Sequence, residues 1–89
     1  MSITVIISAQ VSDFDQWKFK FDNLEEQRLA AGISARAYRK PDDPNASYVI
    51  GTAPSEEAFV EFFTSPERRA IQDSGVITSK PEITFLEEC

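Results

Sequence analysis

Arg28, Arg36, Tyr38 and Tyr48 are the side chains whose type and spacing could do chemistry on a bound molecule. A guanidinium held away from water costs several kcal/mol unless a carboxylate or a bound anion meets it. Arg36 stands two residues before Tyr38 in an alternating segment, so the two share one side of a strand. The hydroxyls of Tyr38 and Tyr48 can donate to a carbonyl or phenolate, although tyrosines in a hairpin also serve as cross-strand packing. Arg28 interrupts the apolar stripe of a helix. Its stem can pack there while the guanidinium reaches the helix C-terminus, where a cation is favoured, or pairs with Glu25 three residues back. Trp17 lies on the same stripe and reads as core.

What is missing narrows the chemistry further. There is no His, and no carboxylate falls at an interior position, so no general base and no catalytic residue can be assigned. A lone Cys89 excludes an internal disulfide, and without His it leaves no donor set for zinc or an iron–sulfur cluster. No metal and no cofactor is expected. Arg68 and Arg69 read as a solvated helix face, and Phe19, between two lysines, as an exposed ring or the cover of a subunit edge.

Periodicity gives the elements that must position these groups. Across residues 13–32, Phe14, Trp17, Phe21, Leu24, Arg28 and Ala31 fall within an arc of about 100° at helical spacing, which predicts an amphipathic helix. Ser12 or Asp13 can cap it, and Gly32 ends it. Residues 2–10 are rich in β-branched residues and predict a strand. Residues 33–40 and 47–53 alternate and form a hairpin around the turn PDDPNA at 41–46. Ser55 caps a second helix with Phe59, Phe62 and Phe63 on its buried edge. Ser65–Pro66 restarts that helix, which runs to Gly75, and residues 82–88 make a last strand. The order is β-α-β-β-α-β: an α+β, ferredoxin-like fold with a four-stranded antiparallel sheet, in a single domain spanning 1–89.

Alternation then sorts the strands into two faces. Ile3, Val5, Ile7, Ala35, Ala37 and Val49 make a face suited to close-lying helices. The other face combines Thr4, Ile6, Ser8, Arg36, Tyr38, Tyr48 or Ile50, Thr84 and Leu86. It is too apolar for open water and too polar for an ordinary core. Such a mixed face suits a second sheet closing over it with a small cavity between. In that cavity Arg36 and Tyr38 would anchor a ligand, with Ile6, Tyr48 and Leu86 as walls and Trp17 and Arg28 as further candidates.

Net charge is −6. Phosphate binding draws its affinity from clustered Lys and Arg, so nucleic acid is not an expected partner, and an acidic surface disfavours anionic membranes. The longest nearly apolar run, Ile3 to Ile7, is far short of the roughly 20 residues of a membrane span. The N-terminus lacks the basic and long apolar regions of a signal peptide. A cytoplasmic protein is expected.

The element order, the helix-opening Asp13-Phe-Asp-x-Trp17 and the segment FFTSPERRAIQDSG at 62–75 resemble the dimeric α+β barrel superfamily, the group of antibiotic-biosynthesis-monooxygenase-like domains. The resemblance covers essentially the whole chain. It implies a ferredoxin-like homodimer and, if chemistry occurs, cofactor-independent oxidation or isomerisation of an activated carbonyl or phenol. In monooxygenase-like relatives a Trp and an Asn assist that oxidation. Here Asn23 lies about 180° from Phe14 on the helix, away from the stripe, so that motif is not matched. Haem-degrading relatives need a His, which this chain lacks. The expectation is therefore a homodimeric barrel binding a small, partly apolar organic molecule. The alternative is a non-catalytic protein-interaction or assembly module.

Overall fold

In the computed structural model, which describes residues 2–89, the chain runs β1 (Ile3–Gln10), α1 (Phe14–Asn23), α2 (Glu25–Ala30), β2 (Ser34–Lys40), β3 (Asp43–Ala53), α3 (Glu56–Phe63), α4 (Pro66–Asp73) and β4 (Glu82–Leu86). The strands form one antiparallel sheet in the order β2-β3-β1-β4. This is the ferredoxin-like arrangement expected from the element order. Among these residues no helix is long and apolar enough to cross a membrane.

Local chemistry fixes the helix ends. The Asp13 carboxylate accepts from the backbone N–H groups of Asp15 (3.0 Å) and Gln16 (3.2 Å), two of the donors a helix start leaves unmatched. Ser55 accepts from Ala58 N (3.1 Å) and Ser65 from Arg68 N (3.4 Å) in the same way. Gly32, at φ 78°, closes α2: Ile33 N donates to Arg28 O (2.8 Å) and Gly32 N to Leu29 O (3.0 Å), a Schellman close that requires the left-handed residue. Removing the first cap tests this reading. Asp13→Ala is expected to cost about 1 kcal/mol, a drop of about 4–8 °C in Tm by calorimetry.

Two expectations need correction. The stripe over 14–31 is continuous, yet the helix breaks at Leu24, whose φ of −99° and ψ of 9° leave the α region. The Leu24 N–H reaches back only three residues, to Phe21 O at 3.2 Å, and the helix resumes at Glu25. The stripe nonetheless stays on the buried side across the break: Trp17, Leu24 and Arg28 are all buried. The hairpin turn is also shorter than expected. It is confined to 41–42, and β3 begins at Asp43. Pro44 is tolerated in a strand because it falls in a bulge between the pairs Arg39–Ser47 and Lys40–Asp43, where no ladder bond to β2 is asked of it.

The core lies between the sheet and the helices, and it is divided. One cluster holds Val11, Trp17, Leu24, Ile71, Val76 and Ile77. The other holds Val5, Ile33, Ala53 and Phe59, and Phe62 packs against both. The sheet residues between them are small: Ala9 pairs with Ser47, and Ala35 with Gly51. Short side chains there leave the helices nothing to fill the gap.

Candidate functional site

That gap is a cavity of about 60 Å³. Its floor is Ala9, Ala35 and Ser47 from the sheet, and its walls include Trp17, Phe21 and Arg28 from α1 and α2 and Phe59, Phe62 and Arg68 from α3 and α4. A single water needs about 10–15 Å³ by this measure, so the cavity has room for a few waters or part of a compact organic molecule. Ser47 contributes the one hydroxyl of the lining, and it donates to Ala9 O at 2.9 Å.

Arg28 is only 6% exposed. Its Nη1 donates to the Phe21 carbonyl at 2.8 Å, and its guanidinium carbon lies 3.7 Å from the Phe21 ring centroid. The cation thus meets the carbonyl end of α1 and a ring face together, both favourable placements. Burial pushes this guanidinium below its ordinary pKa, while the charges of Glu25 and Asp22 pull it part of the way back. Of the two bland arrangements open to Arg28, capping is the one observed. Among the described residues the ion pair found is Lys18–Asp22, 2.7 Å, and Arg28 makes none with Glu25.

Arg68 departs from the solvated face expected of it. It is half-buried, lines the cavity, and stacks its guanidinium 4.1 Å from the Phe63 ring centroid. Burial pushes its pKa down as well. Its signal in the sequence is weak but present: Arg68 precedes the buried Ile71 by three residues, on the same helix face. Arg69 is exposed, as are Phe19, Asn23 and Cys89, in keeping with the sequence reading of each.

The other sequence candidates occupy the opposite side of the sheet. There the cross-strand rows run Tyr38–Tyr48–Ser8–Glu82, Arg36–Ile50–Ile6–Thr84 and Ser34–Thr52–Thr4–Leu86. The facing sets are those alternation predicted. Arg36, Tyr38, Ile50 and Leu86 are exposed, while Ile6 and Tyr48 are half-buried. The seven candidates therefore form two groups. Trp17 and Arg28 line the cavity; Arg36, Tyr38, Tyr48, Ile6 and Leu86 share the open face, with the sheet between the groups. Among the described residues no group of three or more His, Cys, Asp or Glu side chains is placed to hold a metal ion.

The same backbone recurs in solved structures. One, described as an antibiotic biosynthesis monooxygenase, superposes with a TM-score of 0.79 over 98% of this chain and 98% of that one, at 11% identity. The fold is that of the antibiotic-biosynthesis-monooxygenase-like proteins. A Bordetella bronchiseptica protein provisionally given the same description matches with a TM-score of 0.82, covering 99% of this chain and 97% of its own at 13% identity. A conserved protein from Methanosarcina mazei Go1 reaches 0.81 over 100% and 94% at 17% identity. No sequence-family model and no curated protein matches the chain. At such identities the monooxygenase-like fold carries over and a reaction does not.

Proposed function

We propose that the chain is a homodimer that binds a small, partly apolar organic molecule in the cavity between its helices and its sheet. The observation that carries the binding reading is the divided core: a lined, unfilled space walled by aromatic rings and two partly desolvated guanidiniums, where a purely structural core would close up. The fold shared with monooxygenase-like proteins supports it. Among the described lining residues there is no carboxylate or imidazole, so an oxygenase- or isomerase-like reaction would have to rely on the ligand's own reactivity. That absence also favours the second reading, a non-catalytic module.

The dimer reading rests on the open face. Ile6, Tyr38, Tyr48, Ile50 and Leu86 form a continuous patch that a single chain leaves in contact with water. Charge supports closure by a second copy. The outer strand β2 carries Arg36, Arg39 and Lys40, whereas β4 at the other edge carries Glu82 and is followed by Glu87 and Glu88. Across a two-fold axis a basic edge then meets an acidic one. Any cavity between the two sheets, with Arg36 and Tyr38 as its anchors, belongs to this dimer.

Light scattering at low micromolar concentration should give about twice the 10.0 kDa chain mass. Ile50→Asp places a charge at the centre of the patch, opposite Ile6, and should halve that mass while leaving the circular dichroism spectrum unchanged. A parent protein that is monomeric at 100 µM, on the order of the weakest useful dimer affinity, would remove the dimer from this proposal.

A further inference from the structure

We propose that the ligand of the helix–sheet cavity is a compact organic anion with a flat apolar body, its negative oxygens held between Arg28 and Arg68. This rests on reading the cavity as a ligand site. The charged groups on its lining are both cations, although the chain as a whole carries −6. Glu25 and Asp22 act on Arg28 from outside the lining, while the lining itself presents only positive charge to a partly desolvated space, where a charge is felt more than at the surface.

Neither guanidinium is spent. Arg28 uses one N–H group on the Phe21 carbonyl, and guanidinium has five donors in a planar fork. Arg68 makes no side-chain hydrogen bond and no ion pair among the described residues; the Phe63 ring face supports it and supplies no acceptor. Contact with the Phe21 and Phe63 rings restrains both groups, which matters for two-pronged recognition of a carboxylate or of neighbouring oxyanions. Burial depresses both pKa values, but both groups remain charged at neutral pH. An anion entering the cavity would relieve the cost of that desolvation; a neutral molecule would deepen it. The rest of the lining asks for an apolar body, since Trp17 and four phenylalanines present rings or edges to the space.

The test compares two molecules of one shape. Benzoate and benzamide are titrated into the full chain, with binding read from chemical-shift changes of the Trp17 indole N–H and of the arginine side chains. Benzoate should bind at least about tenfold more tightly than benzamide, the low end of what a hydrogen bond to a charged partner contributes. In Arg68→Met, whose half-exposed site leaves folding little affected, that ratio should fall to within about twofold of unity, with benzamide affinity unchanged. Arg28→Met should lower the ratio too; because it also removes the bond to Phe21 O, the Arg68 variant decides the matter. Equal binding of both probes at the cavity would overturn the anion preference and leave the cavity reading standing. A benzoate preference that survives Arg68→Met would overturn it as well. Failure of both probes to move the Trp17 resonance would remove the cavity reading and this inference with it.

Discussion

Trp17→Ala should cost about 3–5 kcal/mol and lower Tm by about 15 °C or more. A domain of this size has on the order of 5–13 kcal/mol of stability in all, so the variant gives up a large share of it. The reason is position as much as size. Trp17 is 6% exposed and lies between Phe14 and Phe21, with ring centroids 5.4 and 5.3 Å away. It also belongs to the cluster of Val11, Leu24, Ile71, Val76 and Ile77, which brings α1 together with the residue after β1, with α4 and with the segment before β4. Truncation joins its volume to a cavity already present, and the surrounding helices cannot collapse onto a floor of Ala9, Ala35 and Ser47 without moving as bodies. Phe19→Ala is the matched control: that ring is 68% exposed, and its loss should stay within about 0.5 kcal/mol. Thermal denaturation of the two variants side by side checks the claim. A Trp17→Ala shift under 5 °C, roughly the effect of a single 1 kcal/mol change, would mean that the indole does not hold these elements together.

The contrast between Trp17 and Arg68 shows what the sequence could reveal. Trp17, Leu24 and Arg28 were legible because burial follows helical spacing, and an arginine inside an apolar stripe is an anomaly visible without coordinates. The two faces of the sheet were legible for a similar reason: with a period of two, Ile3, Val5 and Ile7 cannot share a side with Ile6, and one correct pairing sorts every strand. Arg68 was not. Ser-Pro-Glu-Arg-Arg is a polar helix start by any local rule, and only the turn from α3 into α4 brings Arg68 onto the Phe63 ring. The cavity was hidden for a deeper reason. Ala9, Ala35 and Ser47 look like ordinary small strand residues, and a void is a property of what faces them across the core. The break at Leu24 lies in one residue's backbone torsions and the short turn before Asp43 in a shift of strand pairing, neither of which side-chain patterns record.

Gly51→Val is the other substitution expected to be severe, and it acts through the floor of the same cavity. Any Cβ at position 51 would lie 2.3 Å from the Ser34 carbonyl oxygen and 2.7 and 2.8 Å from Cα and Cβ of Ala35. Two of these three neighbours are backbone, so no rotamer change relieves them. Strand β2 must move away from β3, loosening the Ser34–Thr52 and Arg36–Ile50 pairs on either side and drawing Ala35 off the cavity floor. The cost should reach about 3 kcal/mol or more, at the upper end of overpacking effects. Urea titration should show the midpoint falling by about 1 M or more with little change in slope. Gly75→Ala calibrates the measurement: a Cβ there meets nothing within 4 Å, but φ of 84° sets a left-handed penalty of about 1 kcal/mol. If Gly51→Val lost no more stability than Gly75→Ala, β2 would not approach β3 as closely as this sheet requires. Because Ala35 is both the clashing neighbour and part of the floor, a Gly51→Val protein that still folded should also lose benzoate binding, tying the packing of one hairpin to the shape of the site.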